Sequence, residues 1–427
     1  MNLSERDKKH IWHPFEMPES PAAVAVSHAS GTKLTLENGD QIIDAISSWW
    51  VTIHGHAHPA ITKAITDQAN KLHHVMFAGF THKPAVDLAE KLISKLPDNQ
   101  EKLFFSDNGS TAVEVAIKLC IQYWKNKDIK KIKIVALENS YHGDTFGAMS
   151  AGARSIFSKP FDDYLFDVQF LPSIHLYPNE AIDKLNSLLC DQDVNCFIFE
   201  PLVQGAGGIN IYSAEVLDKL ILACKNADVP TIADEVMTGF GRTGKWFASD
   251  HCQNKPDIIC LSKALTGGTL PMGITSCSKK IFDAFDHTSR DKGFFHGHTY
   301  TGNPLACAAA NASFDLLNTS EAFEQIGKIS NSHQAFVALL NNHPKVINPR
   351  SLGTILAFDI NLQAVNQLQT QIKYINPIRD RIMEYCFKNK VLIRPLGNTV
   401  YLMPPYCITD SELLFVYDVL LGCLDTL

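Results

Sequence analysis

Short apolar runs separated by helix-length segments predict an α/β chain, with a large domain built on a mostly parallel sheet and a smaller α+β domain. Three observations carry this. The runs "IKIVAL" (132–137), "CFIF" (196–199), "TIA" (231–233), "IICL" (258–261) and "GITSC" (273–277) are almost continuously apolar, as strands covered on both faces must be. Residues 109–125 place Val113, Ala116, Ile117, Cys120, Ile121 and Trp124 on one helical face, and 214–226 reads as another helix between strands. Past about residue 315 the texture changes to longer helical stretches and fewer strands.

Taken in order, the first 48 residues carry Pro14, Pro18 and Pro21, then "LENGDQIID", a hairpin turning on Asn38-Gly39. They are expected to join the small domain. Residues 49–315 form the large domain and 316–427 the remainder of the small one. Within the latter, 311–340 reads as one long helical stretch and "GTILAFDI" as a strand of alternating character. A helix follows at 376–389, then the strands "VLI" and "TVYLM". Thr409 followed by Glu412 is a capping-box start for the last helix. The longest polar connector is "DHTSRDKGFFHGHT" (286–299), and long loops in compact domains are often functional.

The bulk numbers narrow the class. A chain of 427 residues, 45% hydrophobic, with net charge −7 and no long basic run argues against nucleic acid or an anionic membrane as partner. The start "MNLSERDKKH" has no apolar core of a secretion signal, and no apolar run reaches the ~18 residues of a membrane span. The 11 cysteines lack CxxC spacing, and Cys120, Cys196 and Cys260 sit inside apolar runs. They read as reduced, buried thiols of a cytoplasmic protein.

Four stretches carry chemistry. In "FFSDNGSTAVEVAIK", Asn108, Gly109 and Ser110 precede the strong helix, which suits an anion at a helix N-terminus; on this stretch alone an ordinary N-cap is the simpler reading. In "ENSYHGDTFGAMS", Tyr141 and His142 follow a strand end, where α/β sheets bind ligands, although a packed surface aromatic fits equally well. In "TIADEVMTGFGRTG", Asp234 and Glu235 close an apolar strand, and a buried carboxylate there is costly unless paired with a cation or a protonated base. No metal is expected: His54, His56 and His58 of "HGHAHP" are a weak signal beside a structured turn. In "CLSKALTGG", Lys263 follows a core strand 29 residues after Asp234. A desolvated lysine there suits an amine nucleophile. Phosphate site, carboxylate for a heteroaromatic nitrogen, aromatic lid and Schiff-base lysine together describe a pyridoxal phosphate pocket.

The chain also resembles the class III pyridoxal-phosphate aminotransferases of fold type I, from "IWHPF" near residue 11 to "MPPY" near 403. The motifs "DEVMTGFGRTG" and "SKALTGG" mark the class. "IWHPF", "SSWW", "HVMFAGFTH", "YHGDTFGAMS", "QGAGG", "GNPLACAAANAS" and "IRPLG…VYLMPPY" resemble one branch, in which S-adenosylmethionine gives an amino group to 8-amino-7-oxononanoate in biotin biosynthesis. The resemblance implies roles residue by residue. Lys263 binds the cofactor aldehyde and shuttles the proton, Asp234 holds the ring nitrogen protonated, Gly109 and Ser110 bind phosphate, and Tyr141 stacks near the ring and lines the substrate pocket. Gly297, His298 and Thr299 act on the site of a second subunit, with Thr299 on the phosphate, so a homodimer is implied. Trp49 lines a substrate tunnel, with the role of Trp50 open, and Arg394 receives the acceptor carboxylate; Arg242 is a weaker candidate. The chain departs from the branch at Phe15, where a tyrosine is usual, and at His298, where proline is frequent. The alternatives are lysine as donor to the same acceptor, or an ornithine, acetylornithine or 4-aminobutyrate aminotransferase. A non-catalytic scaffold is disfavoured by Lys263 and Asp234, and a dehydrogenase by the lack of GxGxxG between strand and helix.

Overall fold

The computed structural model describes residues 1–17, 19–286, 288–365 and 376–427; Pro18 and His287 of the connector lie outside the described residues. A seven-stranded sheet organises the chain. Its strands run Gln100–Ser106, Gly273–Ser278, Ile258–Leu261, Thr231–Asp234, Val194–Phe199, Lys133–Leu137 and Val168–Leu171 across the sheet. Gly273–Ser278 is antiparallel to both neighbours, and every other pairing is parallel. Gln100–Ser106, antiparallel to that odd strand, therefore points the same way as the remaining five.

The near-continuous apolar runs follow from this layering. Ile134, Cys196, Ile198, Ile232, Ile258 and Cys260 enter one core, beneath helix Gly109–Asn126. Their alternates Val135, Phe197, Phe199, Ala233, Ile259 and Leu261 enter the other, with Leu185 and Leu217 of the helices on that face. A period of two with both faces buried leaves no position polar. Within the helix, Val113, Ala116, Ile117, Cys120 and Trp124 are buried as expected, but Ile121 is 48% exposed, because it falls at the margin of the apolar stripe.

The hairpin at Asn38-Gly39 is present: Lys33–Leu36 pairs antiparallel with Gln41–Asp44, and Gly39 takes φ +87°. Gln41–Asp44 then pairs in parallel with Val391–Leu392, so the two ends of the chain share one small sheet. A second small sheet holds Val346–Leu352, Ile355–Ile360 and Thr399–Leu402. Two expectations change here. The 311–340 stretch is two helices, Pro304–Leu317 and Ser320–Leu340, because Thr319 adopts extended backbone and caps the second through Ala322 N. Ile355–Ile360 is buried nearly throughout rather than alternating, since it is the central strand and helix Ser320–Leu340 packs against it. The helix Pro377–Lys388 and the capping box of Thr409 with Glu412 are as expected.

All 11 cysteines are free thiols, with Cys120, Cys196 and Cys260 buried. No helix among the described residues is long and apolar enough to cross a membrane.

Candidate active site

The six co-directional strands bring their C-terminal ends to one rim, and the chemistry-bearing residues sit on that rim. A cavity of about 440 Å³ opens there, lined among others by Gly109, Ser110, Tyr141, Asp234 and Lys263. Five residues scattered over 155 positions of sequence are thus assembled by strand ends alone.

Lys263 lies two residues past Ile258–Leu261, at the start of a short 3-10 turn, with φ +44°. A left-handed lysine is costly unless its surroundings fix it. Burial lowers its ammonium pKa, opposed by the charges of Asp234 and Glu200, so the neutral amine is favoured relative to water. Its Nζ stands 5.0 Å from the centroid of the Trp50 ring.

Asp234 closes its strand 5% exposed. Its Oδ2 lies 2.7 Å from Nδ1 of the fully buried His142, and its Oδ1 accepts the Val236 N–H. The partner that a buried carboxylate requires is therefore His142. The expectation for Glu235 was likewise a cation or protonated base. It is instead satisfied by neutral donors: the Thr238 and Ser249 hydroxyls and the Ala248 and Ser249 N–H groups.

The phosphate expectation has a clear structural footing. Helix Gly109–Asn126 is 18 residues long and capped by Asn108, whose side chain accepts the Thr111 N–H. The N–H groups of its first turn have no partner inside the helix. Facing it, Gly143 takes φ +131°, and a Cβ there would stand 2.0 Å from Ser110 Oγ. The loop thus approaches the helix start as closely as glycine permits, leaving a backbone-lined cradle. Three residues hold that loop as acceptors. Glu200 accepts the Tyr141 N–H, Ser110 Oγ accepts the Asp144 N–H, and Glu114 accepts the Thr145 hydroxyl with the Gly147 and Ala148 N–H groups. Cradle, buried amine and imidazole-backed carboxylate fit pyridoxal phosphate: Gly109 and Ser110 for its phosphate, Asp234 for its ring nitrogen, Lys263 for its aldehyde.

The Trp49 and Trp50 rings diverge. Trp50, whose role was open, lines the cavity, is 4% exposed and donates its indole N–H to the Tyr401 hydroxyl at 3.0 Å. Trp49, expected in the tunnel, does not line this cavity; its ring is tilted against Phe15 at 5.7 Å and covered by the Arg394 guanidinium at 4.8 Å. Phe15 also meets Phe157 edge-on. Arg394 is half-buried, and its Nε finds no hydrogen-bond partner among the described residues. Arg242 is fully buried and donates to the backbone carbonyls of Pro404 and Trp50, a structural use of its fork. His54, His56 and His58 each have a protein partner: Ser313, Asp44 and the Ala60 N–H. Gly297, His298 and Thr299 do not line this chain's cavity; Gly297 and Thr299 are exposed, and His298 is half-buried.

The sequence reading passed over Glu200, a fully buried carboxylate on the cavity wall that burial pushes up to about 7. The signal was available: Glu200 ends "CFIFE" as Asp234 ends "TIAD", an acid closing an apolar strand.

Comparison with known proteins bears on this geometry directly. The family model described as Aminotransferase class-III matches residues 15–424. The chain belongs to the class-III aminotransferase family. It is a pyridoxal-phosphate-dependent aminotransferase of fold type I. The adenosylmethionine-8-amino-7-oxononanoate aminotransferase of Synechococcus elongatus is 46% identical, covering 97% of this chain and 98% of that relative. The Staphylococcus aureus protein of the same name is 36% identical over 96% of this chain and 94% of its own. Among solved structures, the adenosylmethionine-8-amino-7-oxononanoate aminotransferase of Methanocaldococcus jannaschii superposes with TM-score 0.93 at 32% identity, covering 99% of this chain and 98% of that one. A PLP-bound amine transaminase from an uncultivated Pseudomonas species gives 0.90 at 28% identity, with 98% of each chain covered.

Proposed function

We propose that this aminotransferase moves an amino group from S-adenosylmethionine to 8-amino-7-oxononanoate, giving 7,8-diaminononanoate, as a cytoplasmic step of biotin biosynthesis. Arg394 carries the acceptor half of this reading. It offers a half-buried guanidinium, whose Nε has no hydrogen-bond partner among the described residues, beside an aromatic wall of Trp49 and Phe15. A long aliphatic acceptor ending in a carboxylate fits such a surface, with its chain on the rings and its charge on the guanidinium. The names of the relatives from Synechococcus elongatus and Staphylococcus aureus support the donor.

Bound pyridoxal phosphate supplies the electron sink that makes a proton next to an amino group labile. The chain's own residues do the rest. Lys263 Nζ, favoured as a neutral amine by its buried setting, would hold that proton, serving first as base and then as acid. Asp234, held by His142, would keep a proton at the ring nitrogen. Gly109 and Ser110 would hold the phosphate, and Tyr141, tied through its N–H to Glu200, would cover the ring. Trp50 closes the wall beside Lys263 and limits water. Gly297, His298 and Thr299 complete the site of the other subunit in a homodimer, which their place outside this chain's own cavity supports.

The test is product analysis. Purified enzyme with pyridoxal phosphate, S-adenosylmethionine and 8-amino-7-oxononanoate is expected to yield 7,8-diaminononanoate by mass spectrometry. Product only when lysine replaces S-adenosylmethionine would move the assignment to the lysine-dependent reaction. Product from neither donor, with turnover of ornithine or 4-aminobutyrate, would move it to another class III substrate.

A further inference from the structure

The turn that carries the two tryptophans is built against its backbone preferences. Ser47, Ser48 and Trp50 have φ of +50°, +58° and +73°, and none is glycine. Left-handed backbone is unfavourable for each, and such outliers persist only where surrounding contacts over-determine them. The contacts are present. Asp44, fully buried at the end of Gln41–Asp44, accepts the Ile46 N–H through Oδ1 at 3.2 Å. Its Oδ2 accepts the Ser48 hydroxyl at 3.0 Å and faces His56 Nε2 at 2.8 Å. Ser47 donates its hydroxyl to the Met403 carbonyl at 2.8 Å.

What this strain achieves is visible in where the rings go. Consecutive tryptophans are thrown to different places: Trp50 beside Lys263, Trp49 between Phe15 and Arg394. A relaxed helical turn would set neighbouring side chains about 100° apart on one short cylinder and could not serve both. We propose that Asp44 and Ser48, braced by His56, are positioning residues that determine acceptor recognition by holding the Ser47–Trp50 turn in this strained form. The proposal rests on the reading of Trp49, Phe15 and Arg394 as the acceptor surface.

The experiment uses full-length enzyme loaded with pyridoxal phosphate, in a Trp12→Phe background that removes the most exposed indole. Ser48→Gly relieves the φ strain and deletes the hydroxyl; Asp44→Asn keeps the shape of the clamp and removes its charge. The proposal expects Ser48→Gly to melt no lower than its parent, to raise the KM for 8-amino-7-oxononanoate about 10-fold with kcat within about 3-fold, and to raise acrylamide quenching of tryptophan fluorescence about 2-fold. Asp44→Asn is expected to move KM and quenching the same way. Ser48→Gly with unchanged KM overturns the proposal, whether or not quenching rises, and so does a fall in kcat at constant KM. Should Asp44→Asn fail to fold, Ser48→Gly alone decides. If the parent enzyme refuses the acceptor altogether, the substrate reading is what fails. Quenching then still tests the clamp, and unchanged quenching in Ser48→Gly overturns it.

Discussion

Two neighbouring regions of this molecule are built on opposite principles. The rim around Lys263 is made of strand ends: each functional side chain follows an apolar run that the core fixes in place, and buried charges meet dedicated partners, as Asp234 meets His142. The region around Trp49 is made of chain segments far apart in sequence. Phe15 comes from the N-terminal arm, Trp49 from a strained turn and Arg394 from the residues after Val391–Leu392. On the rim, Asp234 and Glu200 are buried and hydrogen-bonded, whereas Trp49 and Phe15 are partly exposed and the Arg394 Nε has no hydrogen-bond partner among the described residues. The difference teaches where chemistry and selectivity reside. Reaction at a cofactor needs fixed geometry and low dielectric, while choice among substrates needs a surface left open for one.

Breaking the rim should stop the reaction whatever the substrate. Lys263→Ala is expected to lower kcat at least about 10³-fold, since one amine serves as attachment and proton carrier. The same variant should lose the visible absorbance of covalently held cofactor. Asp234→Ala should cost about 10²-fold or more with every amino donor, because it strands buried His142 and releases the ring-nitrogen proton. Steady-state kinetics with two donors checks that the loss is uniform.

Breaking the aromatic region should instead act on one substrate. Arg394→Ala removes a charge-assisted pair worth about 1.5–3 kcal/mol. It should raise the acceptor KM roughly 10- to 150-fold while the reaction with donor alone keeps its rate. A loss shared equally by both half-reactions would erase the division between the regions.

Glu200 sharpens the comparison from the side of pH. Burial raises its carboxyl from 4.5 in water to about 7. The folded chain therefore binds the extra proton between those values, and the stability it contributes is complete below 4.5 and lost as pH rises through about 7. Glu235 is raised to about 7 as well, by the same cause. Glu200→Gln should remove roughly half of this slope, at most about 3 kcal/mol, in urea melts of the cofactor-free protein across that range. The smallest expected effect is at Phe15. Phe15→Tyr keeps the ring against Trp49 and adds a hydroxyl, and should change the acceptor KM by no more than about 10-fold, measured by titrating acceptor at saturating donor.

The same contrast explains what could be read from sequence. Lys263, Asp234, Tyr141 and the Gly109–Ser110 start were legible because each adjoins a run whose burial fixes its direction. Their assembly on one rim shows only in the sheet order, where six strands point the same way. The pairing of His142 with Asp234 was not legible, because 92 residues separate them and only the sheet order joins their strands. Glu200 was legible and passed over, an acid closing an apolar strand like Asp234. The clamp from Asp44 to Ser48 and His56 had no sequence signal, since left-handed serines leave no mark in composition. The single long helix expected at 311–340 failed on a local detail, the cap at Thr319, that the sequence did contain.

The most direct test separates the two half-reactions by absorbance. Wild-type enzyme carrying pyridoxal phosphate is mixed with S-adenosylmethionine, lysine or ornithine, each alone, and conversion of the cofactor to its amine form is followed. The account predicts conversion by S-adenosylmethionine and full reversal on adding 8-amino-7-oxononanoate, with reversal but not conversion weakened in Arg394→Ala. Conversion by lysine or ornithine in its place, or reversal indifferent to Arg394, would contradict it.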